Sequence, residues 1–359
     1  MDDTIASAGD RPSNGKCLQD FKGKVLSEAM NPDGCEFLKQ KLLEMNPEDI
    51  QMIYSEVKYN ASLLMMDRVG NNVIQMLFAV CDDEQMDEMV FSLTLDAGLL
   101  LAICLDSQGS QSMLKLIDCL TTWRLVLGFV LPLKEITLQL ATHPIGSNVI
   151  RGCFLAFEAY SEPILEKLAE NFLPIALNET GSALLQDMVK KDITVWAQNR
   201  LVASILLHIK VLSKDQFGSL LVKHFIGLEL EHLPTYLIEN LNDQFVCMVM
   251  DEYACSVVKK LMVLSEETQR LEIINSIINN PYFPHVLQNP YVYSFLQFAK
   301  ECSRGSVRQS LNHRIQCHNQ LRGQCPETNA LPNMKRKRNH GLLLKNRLLL
   351  SKRRKRNLV

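Results

Sequence analysis

Aromatic residues are scarce in this sequence, at 7% of 359 positions. Long apolar runs are missing too. The longest, around Ala97–Leu105 and Leu125–Leu133, fall well short of the ~20 residues a membrane span takes, so no membrane association is expected. The N-terminus, MDDTIASAGDRPSNGK, has no apolar stretch after a basic start, so no secretory signal is expected. The eleven cysteines are an odd number, and no two form a Cys-x-x-Cys pair. Most of them, such as Cys104, Cys119, Cys153 and Cys247, sit in apolar runs. That is the pattern of reduced core thiols in a cytosolic or nuclear protein. His313, Cys317, His318 and Cys325 lie close together, but their spacing fits no standard zinc pattern. Neither a metal nor another cofactor is expected. There is no Walker loop, dinucleotide glycine fingerprint, Gly-x-Ser-x-Gly elbow or HExxH. Clustered carboxylates such as Asp82, Asp83 and Glu84 read as helix starts. An enzyme is not expected.

What is present is aliphatic and unevenly charged. Hydrophobic residues make up 47% of the chain, enough for a large core and too many for disorder over most of the length. The formal net charge of −2 hides a split. Residues 1–300 carry 23 basic and 38 acidic side chains, and residues 301–359 carry 15 and 2. A general nucleic-acid binder normally presents a basic surface, and the body of this chain is acidic.

One short pattern recurs along the chain. DRVGNNVIQ starts at Asp67, and its relatives start at Asn31, Asp106, His143, Asn178, Asp215, Asp251 and Asn289. The fourth residue of each copy is Gly34, Gly70, Gly109, Gly146, Gly181, Gly218, Ala254 or Val292, at spacings of 36, 39, 37, 35, 37, 36 and 38. Each copy reads as the start of a helix. Asp or Asn stands at the N-cap in seven copies and His143 in the eighth. Pro32, Pro144 and Pro290 follow at the first helical position, where a missing N–H costs nothing. The third and fourth residues after the Gly position are apolar in every copy except Ser112/Met113, giving one buried stripe. Further amphipathic stretches lie between, for example Glu84–Leu95, Glu162–Asn171 and Glu267–Ile278. A period near 36 residues fits three short helices, and a unit of that size buries its stripe only by stacking on neighbours.

These motifs resemble the repeat of the Pumilio (PUF) family, and the stretch from Gly34 to Asp67 looks especially like plant members. The resemblance spans roughly residues 31–300 and the family's full count of eight repeats. It implies an all-α, right-handed, crescent-shaped solenoid of eight three-helix repeats over residues 21–320. End caps are expected at 21–30 and 303–316, a flexible segment at 1–20 and a basic tail at 321–359. It also implies that the capped helix of each repeat lines the inner surface and reads one base of single-stranded RNA. The first and fifth residues after the Gly position would grip the base edge, being i and i+4 on one helix face. The second would stack between bases.

Carried over position by position, Asn71 and Gln75 match the family's uracil-reading pair, with Asn72 at the stacking place. Ser182 and Gln186 resemble an adenine-reading pair, beside Ala183. Gln297 stands with Tyr293 and Ser294, and Ser147 and Arg151 flank Asn148 at the fourth stacking place. Lys39, Lys223 and Lys259 put cations at the fifth position of the first, sixth and seventh repeats, where they reach phosphate or guanine acceptors. No repeat carries the Arg or Tyr expected for stacking, and each such platform is worth ~1–3 kcal/mol per base.

Residues 331–359 hold eleven Lys+Arg and no acid, as KRKRNH at 335–340 and KNRLLLSKRRKR at 345–356. Two basic clusters around a short spacer read as a nuclear-import signal or a non-specific phosphate binder. The resemblance implies a monomeric regulator of messenger RNA translation and stability. It would act through 3′ untranslated regions, recruit proteins to its convex face, and work in the cytoplasm with possible nuclear import. Two other readings stand beside it: a scaffold solenoid that binds proteins only, and a nuclear factor that binds structured RNA without a base code.

Overall fold

The structure is a computed structural model, and it describes residues 17–189, 195–228, 230 and 232–324. The chain divides into residues Met1–Phe298, which hold the repeat array, and Ala299–Val359. Among the described residues every regular element is helical. The first unit is an all-α solenoid, with repeats stacked in chain order.

The recurring pattern builds eight capped helices, labelled by repeat: α1 Pro32–Leu43, α2 Asn71–Val80, α3 Ser107–Cys119, α4 Gly146–Phe157, α5 Glu179–Val189, α6 Gln216–Ile226, α7 Glu252–Leu264 and α8 Pro290–Glu301. All eight expected caps are made. Asp106 Oδ1 accepts from the Gln108 and Gly109 amides at 2.9 and 2.8 Å, and Asp215 and Asp251 repeat that fork. Asn31, Asp67, Asn178 and Asn289 cap through their Oδ1 atoms, and His143 through Nδ1. Each such cap is worth ~1 kcal/mol.

The glycine that sets the period has a steric cause. A Cβ at Gly109 would run into the Ile103 carbonyl, and one at Gly34, Gly181 or Gly218 into the carbonyl of Glu28, Ile175 or Leu212. The residue struck lies six positions back each time, near the end of the helix that precedes the capped one. The glycine therefore lets the two backbones touch.

Behind the capped layer runs an outer layer. Asp83–Thr94 packs on Trp123–Glu135, which packs on Glu162–Glu170, which packs on Val195–Leu212; Leu233–Leu241 packs on Glu267–Ile278. Val73, Ile74, Val149, Ile150, Leu184 and Leu185 of the capped stripes are fully buried. Each contributes ~1.5–3 kcal/mol of burial, realised only where the neighbouring repeat covers it.

Three-helix regularity fails in the middle of the array. In repeat five a single 18-residue helix, Val195–Leu212, replaces the expected outer helix and short helix. In repeat two a breaker divides the pair: Asp96 caps Ala97–Leu105 by accepting from the Leu99 amide at 2.9 Å. The stretch VWAQNRLVASILLHIKVL has no Gly, Pro or Asp to stop the first helix and cap a second.

At the N-terminal end Leu18–Phe21 forms a 3-10 turn with Leu18 and Phe21 buried, inside part of the segment expected to be flexible; residues 1–16 of that segment lie outside the described residues. In the second unit one helix covers Gly305–Gln324 and includes most of the expected end cap. The basic clusters at 335–340 and 345–356 lie outside the described residues. Among those described, no single helix is long and apolar enough to cross a membrane.

Candidate nucleic-acid interface

Adjacent capped helices stack side by side, α1 on α2, α2 on α3, α3 on α4, α4 on α5, α5 on α6 and α6 on α7. The expected base-contacting positions therefore fall in rows across neighbouring repeats. The first position after the Gly site is deep. Cys35, Asn71, Ser110, Ser147, Ser182, Ser219 and Cys255 are all buried, and Tyr293 is half-buried. Several of these side chains tie one repeat to the next. Ser182 Oγ donates to the Phe217 carbonyl at 2.9 Å, and the thiols of Cys35 and Cys255 reach the carbonyls of Val69 and Tyr291 at 3.5 and 3.6 Å. Burial pushes both thiols above their usual range, so they stay neutral. The second-position residues Asn72, Asn148 and Ala183 are exposed, as stacking groups need to be, and Leu220 is 47% exposed.

At the fifth position the structure brings the expected pairs together. Gln75 Nε2 donates to Asn71 Oδ1 at 3.2 Å, Gln186 Nε2 to Ser182 Oγ at 3.2 Å, and Gln297 Nε2 to Tyr293 Oη at 2.9 Å. Arg151 Nη1 donates to Ser147 Oγ at 3.2 Å and to Asn148 Oδ1 at 3.1 Å. In all four the i and i+4 side chains converge on one step of the helix face.

The cations differ in how committed they are. Arg151 Nε pairs with Asp187 Oδ2 of the next repeat at 3.0 Å. Lys39 pairs with Glu36 at 2.8 Å, which pushes its ammonium pKa up. Lys259 donates to Ser294 Oγ at 2.7 Å and lies 5.8 Å from the Phe298 ring. Lys223 has no carboxylate partner among the described residues. Exposed ion pairs of this kind are worth ~1 kcal/mol or less, so a phosphate can displace the acids.

Three further residues contribute to this face. Ser112 breaks the apolar pattern and looks like a blemish, but it is fully buried and accepts from Gln75 Nε2 at 3.2 Å. Gln108 Oε1 accepts from Asn71 Nδ2 at 3.2 Å, and Asp187 holds Arg151. A polar residue in an apolar register was the signal for Ser112. For the other two the sequence holds none, because both bonds cross between repeats. Among the described residues no group of three or more His, Cys, Asp or Glu side chains is placed to hold a metal. The side chains of Cys317 and His318, and all of Cys325, lie outside those residues.

The family model for the Pumilio-family RNA binding repeat matches residues 29–58, 60–93, 137–168, 208–227 and 244–278. It takes in α1, α2, α4, α6 and α7 and passes over α3, α5 and α8. Pumilio homolog 12 of Arabidopsis thaliana is 27% identical over 298 residues, covering 83% of this chain and 50% of that protein. Pumilio homolog 11 of the same plant is 28% identical over 314 residues, covering 85% and 54%. The chain thus spans about half the length of these relatives. Among solved structures, the Puf4 RNA binding domain bound to a HO endonuclease RNA 3′ UTR recognition sequence superposes with a TM-score of 0.66 at 23% identity, covering 86% of this chain and 96% of that one. The PUM-HD domain of S. pombe Puf1, solved in complex with RNA, gives 0.67 at 20% identity, covering 90% and 84%. At those identities the likeness establishes the fold.

Proposed function

We propose that this chain, which belongs to the Pumilio (PUF) repeat family and has plant pumilio homologues among its relatives, binds single-stranded RNA along its layer of capped helices. The observation that carries the reading is the set of converged i, i+4 polar pairs, Asn71/Gln75, Ser147/Arg151, Ser182/Gln186 and Tyr293/Gln297, on the capped helices of repeats two, four, five and eight. One such pair per capped helix, where it occurs, suits one base per repeat. Asn72 and Asn148 flank the bases, and Lys39, Lys223 and Lys259 meet phosphates or base acceptors. Binding acts on the 3′ untranslated regions of messenger RNAs and controls their translation and stability, as a monomer, mainly in the cytoplasm. The outer helices recruit proteins, and the basic tail serves nuclear import or adds non-specific binding to RNA phosphates.

A protein-only scaffold is the second reading. The Arg151–Asp187 and Lys39–Glu36 pairs favour it, since each spends a cation on the protein itself. Filter-binding titrations with random-sequence single-stranded RNA separate the two, using the full chain and a chain lacking residues 335–359 across a salt series. The expected result is binding by both. Deletion should flatten the slope of log affinity against log salt by ~0.7 for each phosphate that the tail had neutralised. Loss of all binding with the tail would contradict RNA recognition by the repeats, and absence of binding in both would establish the scaffold.

A further inference from the structure

We propose that the sixth and seventh repeats form a phosphate-binding subsite, where Lys223 and Lys259 hold the RNA backbone without regard to base. This inference rests on the reading of the capped-helix face as an RNA interface. Four repeats carry a cation at the fifth position after the Gly site: Lys39, Arg151, Lys223 and Lys259. Two of the four are held by acids, Arg151 by Asp187 and Lys39 by Glu36. Lys223 and Lys259 have no carboxylate partner among the described residues. They stand at the same step of α6 and α7, and these two helices stack on each other. Lys259 Nζ donates to Ser294 Oγ at 2.7 Å, a neutral partner that leaves its charge uncompensated. Lys260 adds a third cation at the boundary, its Cε 3.8 Å from where a Cβ on Gly227, the C-cap of α6, would lie. All three lysines are half-buried, so their stems lie along the protein.

The other groups at these two steps do not complete a base-reading pair. Ser219 Oγ donates to the Gln216 carbonyl at 3.1 Å and the Cys255 thiol to the Tyr291 carbonyl at 3.6 Å, and both side chains are buried. At the stacking position Leu220 is apolar, and Ser256 Oγ donates to the Tyr253 carbonyl at 2.7 Å. No i, i+4 side chains converge here as they do in repeats two, four, five and eight. The charged groups at both steps are ammonium ions, which donate and never accept. A base edge mixes donors and acceptors. A phosphodiester offers acceptors only, carries a full charge and recurs at every nucleotide, whatever its base. Two like charges one repeat apart also repel, and an anion between them relieves that repulsion. The first 300 residues carry 38 acidic side chains against 23 basic, so uncompensated cations on adjacent steps mark where that body attracts a polyanion. Guanine, whose O6 and N7 also accept from lysine, is the competing ligand.

The test is selection from a random single-stranded RNA pool with the full chain and with its Lys223→Gln, Lys259→Gln double variant, followed by filter binding of the selected RNA across a salt series. Both proteins should enrich the same motif. The double variant should bind every sequence roughly tenfold more weakly, and its slope of log affinity against log salt should flatten by about 1.4, at ~0.7 for each phosphate released. Lys223→Arg with Lys259→Arg keeps both charges and should restore affinity and slope. The selected RNA is also ethylated sparsely at its phosphates and partitioned between bound and free. Ethylation at two neighbouring phosphates should exclude RNA from the unaltered chain and cease to matter for the double Gln variant. If that variant fails to fold, the ethylation pattern of the unaltered chain decides, and interference at no phosphate of the motif overturns the proposal. A guanine lost from the motif of the double Gln variant would show that the lysines read base acceptors, and unchanged affinity and slope would show that they touch no RNA. Either result overturns the subsite and leaves RNA binding by the other repeats intact. If the unaltered chain binds no RNA, the RNA reading itself fails and this proposal fails with it.

Discussion

The second and fourth repeats place a long polar side chain on the same helical step and use it in opposite ways. Gln75 is neutral and its two N–H groups point into a buried network of Asn71 and Ser112. Arg151 is charged, and its guanidinium is held by Ser147, Asn148 and, across the repeat boundary, Asp187. Identical spacing therefore gives one step that can discriminate between bases and one whose cation must first leave an acid. A repeat array lets such differences accumulate, because each unit needs only to stack on its neighbours.

The largest expected effect breaks the second repeat. Replacing both Asn71 and Gln75 with Ala should weaken binding to a preferred RNA by a few kcal/mol at most, since each buried group left unpaired costs ~1–3 kcal/mol. Filter binding measures it, and the same change at Arg151 should cost less because Asp187 already competes for that side chain. Next come the caps of the two helices. Asp67 Oδ1 accepts from the Val69 and Gly70 amides at 2.9 and 2.6 Å, while His143 Nδ1 accepts from Ile145 and Gly146 at 3.3 Å each. Asp67→Ala should lower unfolding free energy by ~1–2 kcal/mol and His143→Ala by about half as much, read from denaturant titrations.

A smaller effect sharpens the contrast from the other side. Asp187→Asn removes the charge that holds Arg151, so RNA affinity should rise and the salt slope should steepen by up to ~0.7. The smallest lies between the outer helices of the first two repeats, where Glu88 accepts from Lys58 at 2.7 Å and Tyr54 at 2.6 Å. The Lys58 bond, then the Tyr54 bond, hold the Glu88 carboxyl below its usual value of 4.5. A group with a depressed folded pKa stabilises above its unfolded value and loses that contribution as pH falls through the folded value. Thermal melts of Glu88→Gln and the unaltered chain should therefore differ most near neutral pH and converge in acid.

Much of this was legible in the sequence. The period, the N-cap residues and the glycines that let backbones touch are local signals, and all eight caps form. The fused helix Val195–Leu212 was not read, because the clue was a missing breaker inside a stretch counted as two elements. At the site, the i, i+4 pairs were readable from spacing alone. The depth of Ser147 and Ser182 was not, since burial depends on how the helices pack, and Ser182 bonds to the Phe217 carbonyl of the next repeat. Nor were the partnerships of Gln108, Ser112 and Asp187, which lie 36 or 37 residues from the groups they bond and depend on how one repeat docks on the next.

RNA binding along the capped helices is measured most directly by ultraviolet cross-linking of the full chain to random-sequence single-stranded RNA, with the adducts located by peptide mass spectrometry. Adducts are expected on peptides from the capped helices, above all those carrying Asn71–Gln75, Ser147–Arg151 and Lys223, and fewer of them after Asn71→Ala with Gln75→Ala. Adducts confined to residues 335–359, or to outer helices such as Asp83–Thr94, would contradict it.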